Sequence, residues 1–267
     1  MSSAPSPAEI VADARWLAQA LDPATGMLRV VAMTPEAYRA ESFLDDRMLQ
    51  KPHTAGVVPW PSVAGALHAN ARTDARWVFH IGHVGSTLVA RLLGELEGVL
   101  GVREPRILRD LAVAPEEQRQ PYLGGTQALM SRTFGANETA LVKATSFASE
   151  IAAELVPDGG RSLFLTVAPQ AYIATILAGE NSIKELEMLA GARQRRMTGR
   201  VSGLDDAKAS AAHLAAAAWA CEMTALEAAA GAMAGVAWDD FDRMLSDMPA
   251  ALARAATHFG FETAPEQ

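Results

Sequence analysis

Residues 79–93 read FHIGHVGSTLVARLL, and the fold is decided there. Trp77-Val78-Phe79-His80-Ile81 is a short, nearly continuous apolar run, the pattern of a strand buried on both faces. It enters a turn with two glycines, Gly82 and Gly85, and then a helix with Leu88, Val89, Leu92, Leu93 and Leu96 along one side. In that order the three pieces build an anion site. Glycines let the backbone curl close to a ligand, and unpaired N–H groups at the helix start point inward, where the helix dipole favours negative charge. Ser86 and Thr87 add hydroxyl donors in the first turn. An ordinary strand-to-helix turn with a capping serine is the plain alternative. The pattern lacks the lysine that follows the last glycine of a Walker loop, since Gly85 is followed by Ser86. No clear apolar strand ends in an aspartate able to hold magnesium, which disfavours magnesium-dependent ATP or GTP hydrolysis.

Outward from this stretch, Val99–Arg103, Ala140–Lys143, Ser162–Val167 and Gly235–Trp238 are further short aliphatic runs flanked by helical patterning. Strands alternating with helices predict an α/β fold with a parallel sheet covered on both faces. Phe147, Ile151 and Leu155 predict a helix from Ser146 to the stop at Pro157, and Pro169 opens another. The alanine-rich stretch from Ala207 predicts a close-packed helix that contains Cys221 as a core residue. Upstream, Ile10, Ala14, Leu17 and Leu21 predict a helix ending near Asp22-Pro23, and Met27–Met33 a short strand. Thr34-Pro35-Glu36 predicts a helix start running through about Leu49, with a proline-rich connector over Lys51–Val63.

The chain has 267 residues, half of them apolar, and one cysteine, which excludes an intramolecular disulfide and a multi-cysteine zinc site. A net charge of −8 argues against sequence-independent nucleic-acid binding. No apolar run reaches the ~20 residues of a membrane span. The first residues lack the basic-then-apolar order of a secretion signal. A cytoplasmic globular protein, with no nucleic-acid or membrane partner, is the expectation.

Over roughly residues 76–262 the chain resembles the sulfotransferase superfamily, particularly the bacterial sulfotransferase-like P-loop proteins. The turn Gly82-His83-Val84-Gly85-Ser86-Thr87 is similar to that family's loop for the 5′-phosphosulfate of 3′-phosphoadenylyl sulfate, usually Pro-Lys-Ser-Gly-Thr-Thr. Val99–Pro105 resembles the second strand and its loop, and Leu141-Val142-Lys143 the strand that ends in lysine near the acceptor. Val236–Phe241 with Phe259-Gly260-Phe261 resembles the family's terminal strand, acidic turn and helix. The resemblance implies a three-layer P-loop-type fold, with residues 1–70 as an N-terminal helical and strand extension packed on a core domain of residues 71–267. Several family positions differ. The loop lysine falls at His83, the 3′-phosphate arginine at Val167 and the common catalytic histidine at Thr145, while the serine eight residues past that arginine falls at Thr175, another hydroxyl. No Gly-x-x-Gly-x-x-Lys segment follows.

In open parallel sheets ligands sit beyond the carboxyl ends of the strands, which gathers the glycine turn, Arg103-Glu104, Lys143 and Ala168-Pro169 on one edge. Glu104 reads as the base for an acceptor hydroxyl, or else as the partner of Arg103 or Arg106 in a surface ion pair. Lys143 reads as neutralising a departing anion, or as a solvated strand-end lysine. His83 reads as a phosphate donor when protonated, or as a satisfied structural histidine. His80 and His83 face opposite sides of a strand and lack a third ligand, so no metal is expected. Arg193, Arg195, Arg196 and Arg200 form a basic cluster that is either a solvated helix face or a substitute for the missing arginine. The expected activity is sulfuryl transfer from 3′-phosphoadenylyl sulfate to a hydroxyl or amine on a small molecule or peptide. Gly82, His83, Val84, Gly85, Ser86, Thr87 and Thr175 would hold the donor, and Glu104, Lys143 and His83 would carry the chemistry. The alternatives are a small-molecule kinase-like enzyme and a non-catalytic nucleotide-binding module of the same fold.

Overall fold

Eight strands make two sheets in the computed structural model, which describes residues 4–202 and 210–262. The first sheet is antiparallel, with β1 (Trp16–Asp22), β2 (Met27–Ala32) and β3 (Ala55–Pro59) in that order. The second contains β4 (Arg76–His80), β5 (Val99–Arg103), β6 (Thr139–Lys143), β7 (Arg161–Thr166) and β8 (Val236–Asp240). Its order is β5-β6-β4-β7-β8, and every neighbouring pair is parallel. β4 is therefore central, and Trp77, Val78 and Phe79 on it are completely buried. The helices Ser86–Leu93 and Met248–Phe259 pack together over one side of the sheet, and the helix Ala211–Ala232 packs with Pro169–Leu177 and the 3-10 turn Ser146–Ile151. This is the α/β layering that the alternating pattern predicts.

The N-terminal third departs from its periodicity. The predicted helix over Ile10–Leu21 stops at Ala12, after a start at Pro7 closed by a Ser6–Glu9 capping box. Asp13 then turns the chain by accepting from the Arg15 backbone and side chain, and residues 17–21 become the middle of β1. All five of these side chains are buried, including Ala18, Gln19 and Ala20, which one apolar helix face would have left outside. The helix begun at Pro35 ends at Ala40 rather than near Leu49. Arg103, at the end of β5, donates to the carbonyls of Tyr38, Arg39 and Glu41 and so satisfies the helix's terminal acceptors. The Leu44 N–H meanwhile bonds the Arg103 carbonyl at 2.8 Å. The connector over Lys51–Val63 contains β3 and the start of a helix, Trp60–Ala66. Side chains from both sheets join one hydrophobic core.

The remaining elements match closely. β6, β7 and β8 each fall within two residues of the predicted runs, and Pro169 opens the helix that ends at Leu177. The segment from Ser146 is a 3-10 turn before a short helix, Ala152–Leu155. The alanine-rich helix is described from Ala211; residues 207–209 of its predicted start lie outside the described residues. Cys221 is fully buried on it, and burial pushes its thiol up to about 11. Among the described residues no helix is long and apolar enough to cross a membrane.

Candidate functional site

The carboxyl ends of β4, β5 and β6 open into a cleft of about 1040 Å³. Gly82, His83, Val84, Gly85, Ser86 and Thr87 all line it, as do Glu104 and Lys143. Three of the loop residues adopt left-handed backbones: Gly82 at φ 82°, His83 at φ 51° and Gly85 at φ 61°. Gly85 is the N-cap of the helix Ser86–Leu93, and that cap receives no side-chain hydrogen bond. The N–H groups of Gly85, Ser86, Thr87 and Leu88 have no hydrogen-bond acceptor among the described residues. A loop with open amides at a helix start suits an anionic group.

The glycine at 85 has a different cause from the one its pattern suggests. A Cβ built there would meet the ring of Phe241 at 1.9 Å, so the ring occupies the space a side chain would need. Gly82 has room for a Cβ, whose nearest neighbour would be Ser146 Oγ at 3.9 Å, and is required there by its positive φ.

His80 shapes the loop from beneath. The Gly82 N–H donates to its Nδ1 at 3.0 Å, so the ring proton sits on Nε2, which donates to the Ala144 carbonyl at 3.0 Å. Burial, reinforced by the charge of Lys143, holds its pKa well below the ordinary histidine value, and the ring is neutral. The sequence pattern marks His80 only as an unsuitable metal ligand; its bond to the loop has no local signal.

Glu104 and Lys143 form the charged centre. The Lys143 ammonium donates to Oε1 of Glu104, and Arg47 donates to Oε2 at 3.1 Å. The partners foreseen for Glu104 are engaged elsewhere: Arg103 on backbone carbonyls, and Arg106 on Asp46 and Asp110. Lys143 is not a solvated strand-end lysine, for it is 1% exposed. Burial lowers its pKa from the usual lysine value, and the adjacent Glu104 carboxylate works against that shift. The backbone joins them as well, since the Glu104 N–H bonds the Lys143 carbonyl at 2.7 Å. Glu104 and His83 are the two non-glycine residues with positive φ among the described residues, and both line the cleft. Strained backbone of this kind concentrates at working sites.

His83 is exposed to the cleft with its ring edge-on to Tyr172, centroids 6.3 Å apart. It is therefore not a histidine satisfied by the core. Thr175 is exposed and lies outside the residues lining the cleft. Tyr172, one turn earlier on the same helix, is 2% exposed and lines the cleft instead. Phe43, Asp45 and Arg47 reach the cleft from the N-terminal segment released when the helix stops at Ala40. Their register depends on the antiparallel sheet and on Arg103, so no local pattern marks them.

No protein-family model matches the sequence, and no curated protein matches it significantly. Among solved structures, the sulfotransferase domain from the curacin biosynthetic pathway aligns with a TM-score of 0.50 at 9% identity, covering 72% of this chain and 75% of that one. The chain has a sulfotransferase-like fold. A sulfotransferase from Alicyclobacillus acidocaldarius also aligns, with a TM-score of 0.45 at 11% identity over 73% of this chain and 85% of that one. In the sulfotransferase-like fold of this chain, the central parallel sheet presents the loop after its middle strand to the cleft, with Lys143 at the end of the adjacent β6 and Glu104 just past β5, the next strand out. The strand-end position of Val167 is apolar and 6% exposed, and its carbonyl accepts from Trp219 Nε1 at 2.9 Å.

Proposed function

We propose that the protein transfers a sulfuryl group from 3′-phosphoadenylyl sulfate to a hydroxyl or amine acceptor. The observation that carries this reading is the convergence of an open-amide loop, a buried lysine and a carboxylate in one cleft. The loop amides of Gly85–Leu88, with the Ser86 and Thr87 hydroxyls, hold the 5′-phosphosulfate end of the donor. The acceptor oxygen or nitrogen attacks sulfur as the bond from sulfur to the bridging phosphate oxygen breaks. The acceptor's proton passes to Glu104, and the negative charge left on adenosine 3′,5′-bisphosphate is met by the loop amides and Lys143. Oε2 of Glu104 is the atom for the proton, because its Arg47 partner is half-exposed and the Lys143 partner of Oε1 is buried. His83, in the cleft where the resembled loop has its lysine, adds a donor on the same side.

Incubation with 3′-phosphoadenylyl sulfate and a panel of phenols, alcohols and amines tests the reading by mass spectrometry of the sulfated product and of released bisphosphate. Transfer that depends on Lys143 supports it; donor that fails to bind overturns it. The two cations on Glu104 favour a second reading, a nucleotide-binding module without turnover. Tight binding of the bisphosphate with no transfer to any acceptor would select that module.

A further inference from the structure

The two most exposed large apolar side chains among the described residues both line the cleft: Met188 at 75% and Val113 at 63%. They belong to two helices that run along it. On the helix Arg106–Val113, Arg106, Arg109, Asp110 and Val113 line the cleft at i, i+3, i+4 and i+7, one continuous face. On the helix Glu180–Met197, Lys184, Met188 and Leu189 do so at the same kind of spacing. Phe147 joins the two walls, with the guanidinium of Arg109 5.3 Å from its ring centre and that of Arg196 4.7 Å away. Scattered exposed hydrophobics are ordinary. The two extremes in one cleft, together with half-buried Phe147 and Leu189, make an apolar patch of the kind that meets a ligand.

Around Glu104 the same cleft is charged, and its charges are paired. Glu104 is held by Lys143 and Arg47, Asp45 by Arg47, and Arg106 by Asp46 and Asp110. A polyhydroxylated ligand, which needs a partner for each hydroxyl, would have to break those pairs. A single hydroxyl on an apolar body would not. The lining face of the first helix begins two residues past Glu104 and extends seven residues to Val113, a rise of about 10 Å. Arg109 and Lys184 are exposed, and side chains of this length keep their charge in water while their methylene stems cover apolar surface.

We infer that the acceptor is an alcohol whose hydroxyl is carried on an extended apolar chain about 10 Å long, which lies along Val113, Phe147 and Met188 with the hydroxyl at Glu104. Its role as acceptor rests on the sulfuryl transfer proposed above; its binding in the apolar groove does not.

Calorimetric titration with 1-butanol, 1-hexanol and 1-octanol, with and without adenosine 3′,5′-bisphosphate, tests the groove. Transfer from 3′-phosphoadenylyl sulfate to the same alcohols tests the acceptor role. Affinity should rise by about twofold or more per methylene, at least about 15-fold from butanol to octanol, and kcat/KM for transfer should follow it. In Val113→Asp/Met188→Asp the gain from butanol to octanol should fall below about threefold. Both positions are exposed, so this protein should fold. Met188→Gln, another good helix former, should by itself weaken octanol by at least about threefold and leave butanol within about twofold. Val57→Asp, on a residue 56% exposed in β3 and outside the cleft, should leave all three affinities unchanged. Affinity independent of chain length, or a gain unmoved in the double variant, overturns the inference. If phenols or amines are then still sulfated, sulfuryl transfer stands without it. Length-dependent binding with no transfer to any acceptor leaves the groove as an apolar site and removes sulfuryl transfer, and with it the acceptor role.

Discussion

The Phe241 ring lies where a side chain at residue 85 would be, with Cζ 1.9 Å from the Cβ that any other residue would carry. Phe241 opens the helix that follows β8, so the far edge of the parallel sheet sets the identity of the loop after its central strand. The contact turns Gly85 from a ligand-approach glycine into a packing glycine that also needs a left-handed backbone.

Gly85→Ala should therefore destabilise through two separable effects, a clash and a strained φ. A left-handed alanine costs about 1–2 kcal/mol, and the clash adds to it. In a Phe241→Ala background only the first cost remains. Urea unfolding of the four proteins in this cycle measures the coupling; an equal cost of Gly85→Ala in both backgrounds would mean the ring is not the obstacle.

Breaking the buried pair from one side should be expensive. Glu104→Leu leaves the Lys143 ammonium buried without its partner and should cost roughly 3–5 kcal/mol, much of it recovered in Glu104→Leu/Lys143→Met. Glu104→Gln keeps an acceptor for Lys143 and should fold. With an acceptor in hand, it should lower turnover by about 10²–10⁴ and change donor affinity by no more than about threefold. Turnover that survives Glu104→Gln would assign the proton to another group.

His80 makes stability depend on pH. Its folded pKa lies well below the ordinary histidine value, so between the two values the unfolded chain binds a proton that the folded chain refuses. Stability from this group is complete above about pH 6.5 and falls as pH drops through that value, by at most about 1.4 kcal/mol per pH unit. His80→Gln, uncharged throughout, should flatten this limb in unfolding curves taken from pH 7.5 to 5. An unchanged slope would assign the pH dependence elsewhere.

His83 carries strain that its position in the cleft explains. Glycine at φ 51° is unstrained, so His83→Gly should leave stability unchanged or raise it by up to about 1 kcal/mol. The same change removes the imidazole facing Tyr172 and should weaken nucleotide binding severalfold, read by titration beside thermal melts. Lower stability with intact binding would make His83 a structural residue.

Sequence periodicity alone determined the parallel core. A strand buried on both faces is a continuous apolar run, and Trp77–Ile81 and the runs ending at Arg103, Lys143 and Thr166 carry that mark locally. So does the glycine turn, because positive φ and a helix start are properties of a few adjacent residues. Strand-end placement then brought the loop, Glu104 and Lys143 to one edge without further information. Tertiary structure alone decided the rest. The run from Ile10 to Leu21 fits a helix as well as a strand, and only pairing with β2 selects the strand. The partners of Glu104 follow from Arg103 ending a helix far away in sequence, which frees the segment bearing Arg47. Whether an arginine is a solvated face or a buried, unpaired cation is likewise invisible in a sequence: Arg193 and Arg196 sit three residues apart, yet only the packed helices commit one to carboxylates and leave the other facing the cleft. Backbone preference is local, whereas desolvation and charge pairing depend on what the whole fold brings alongside.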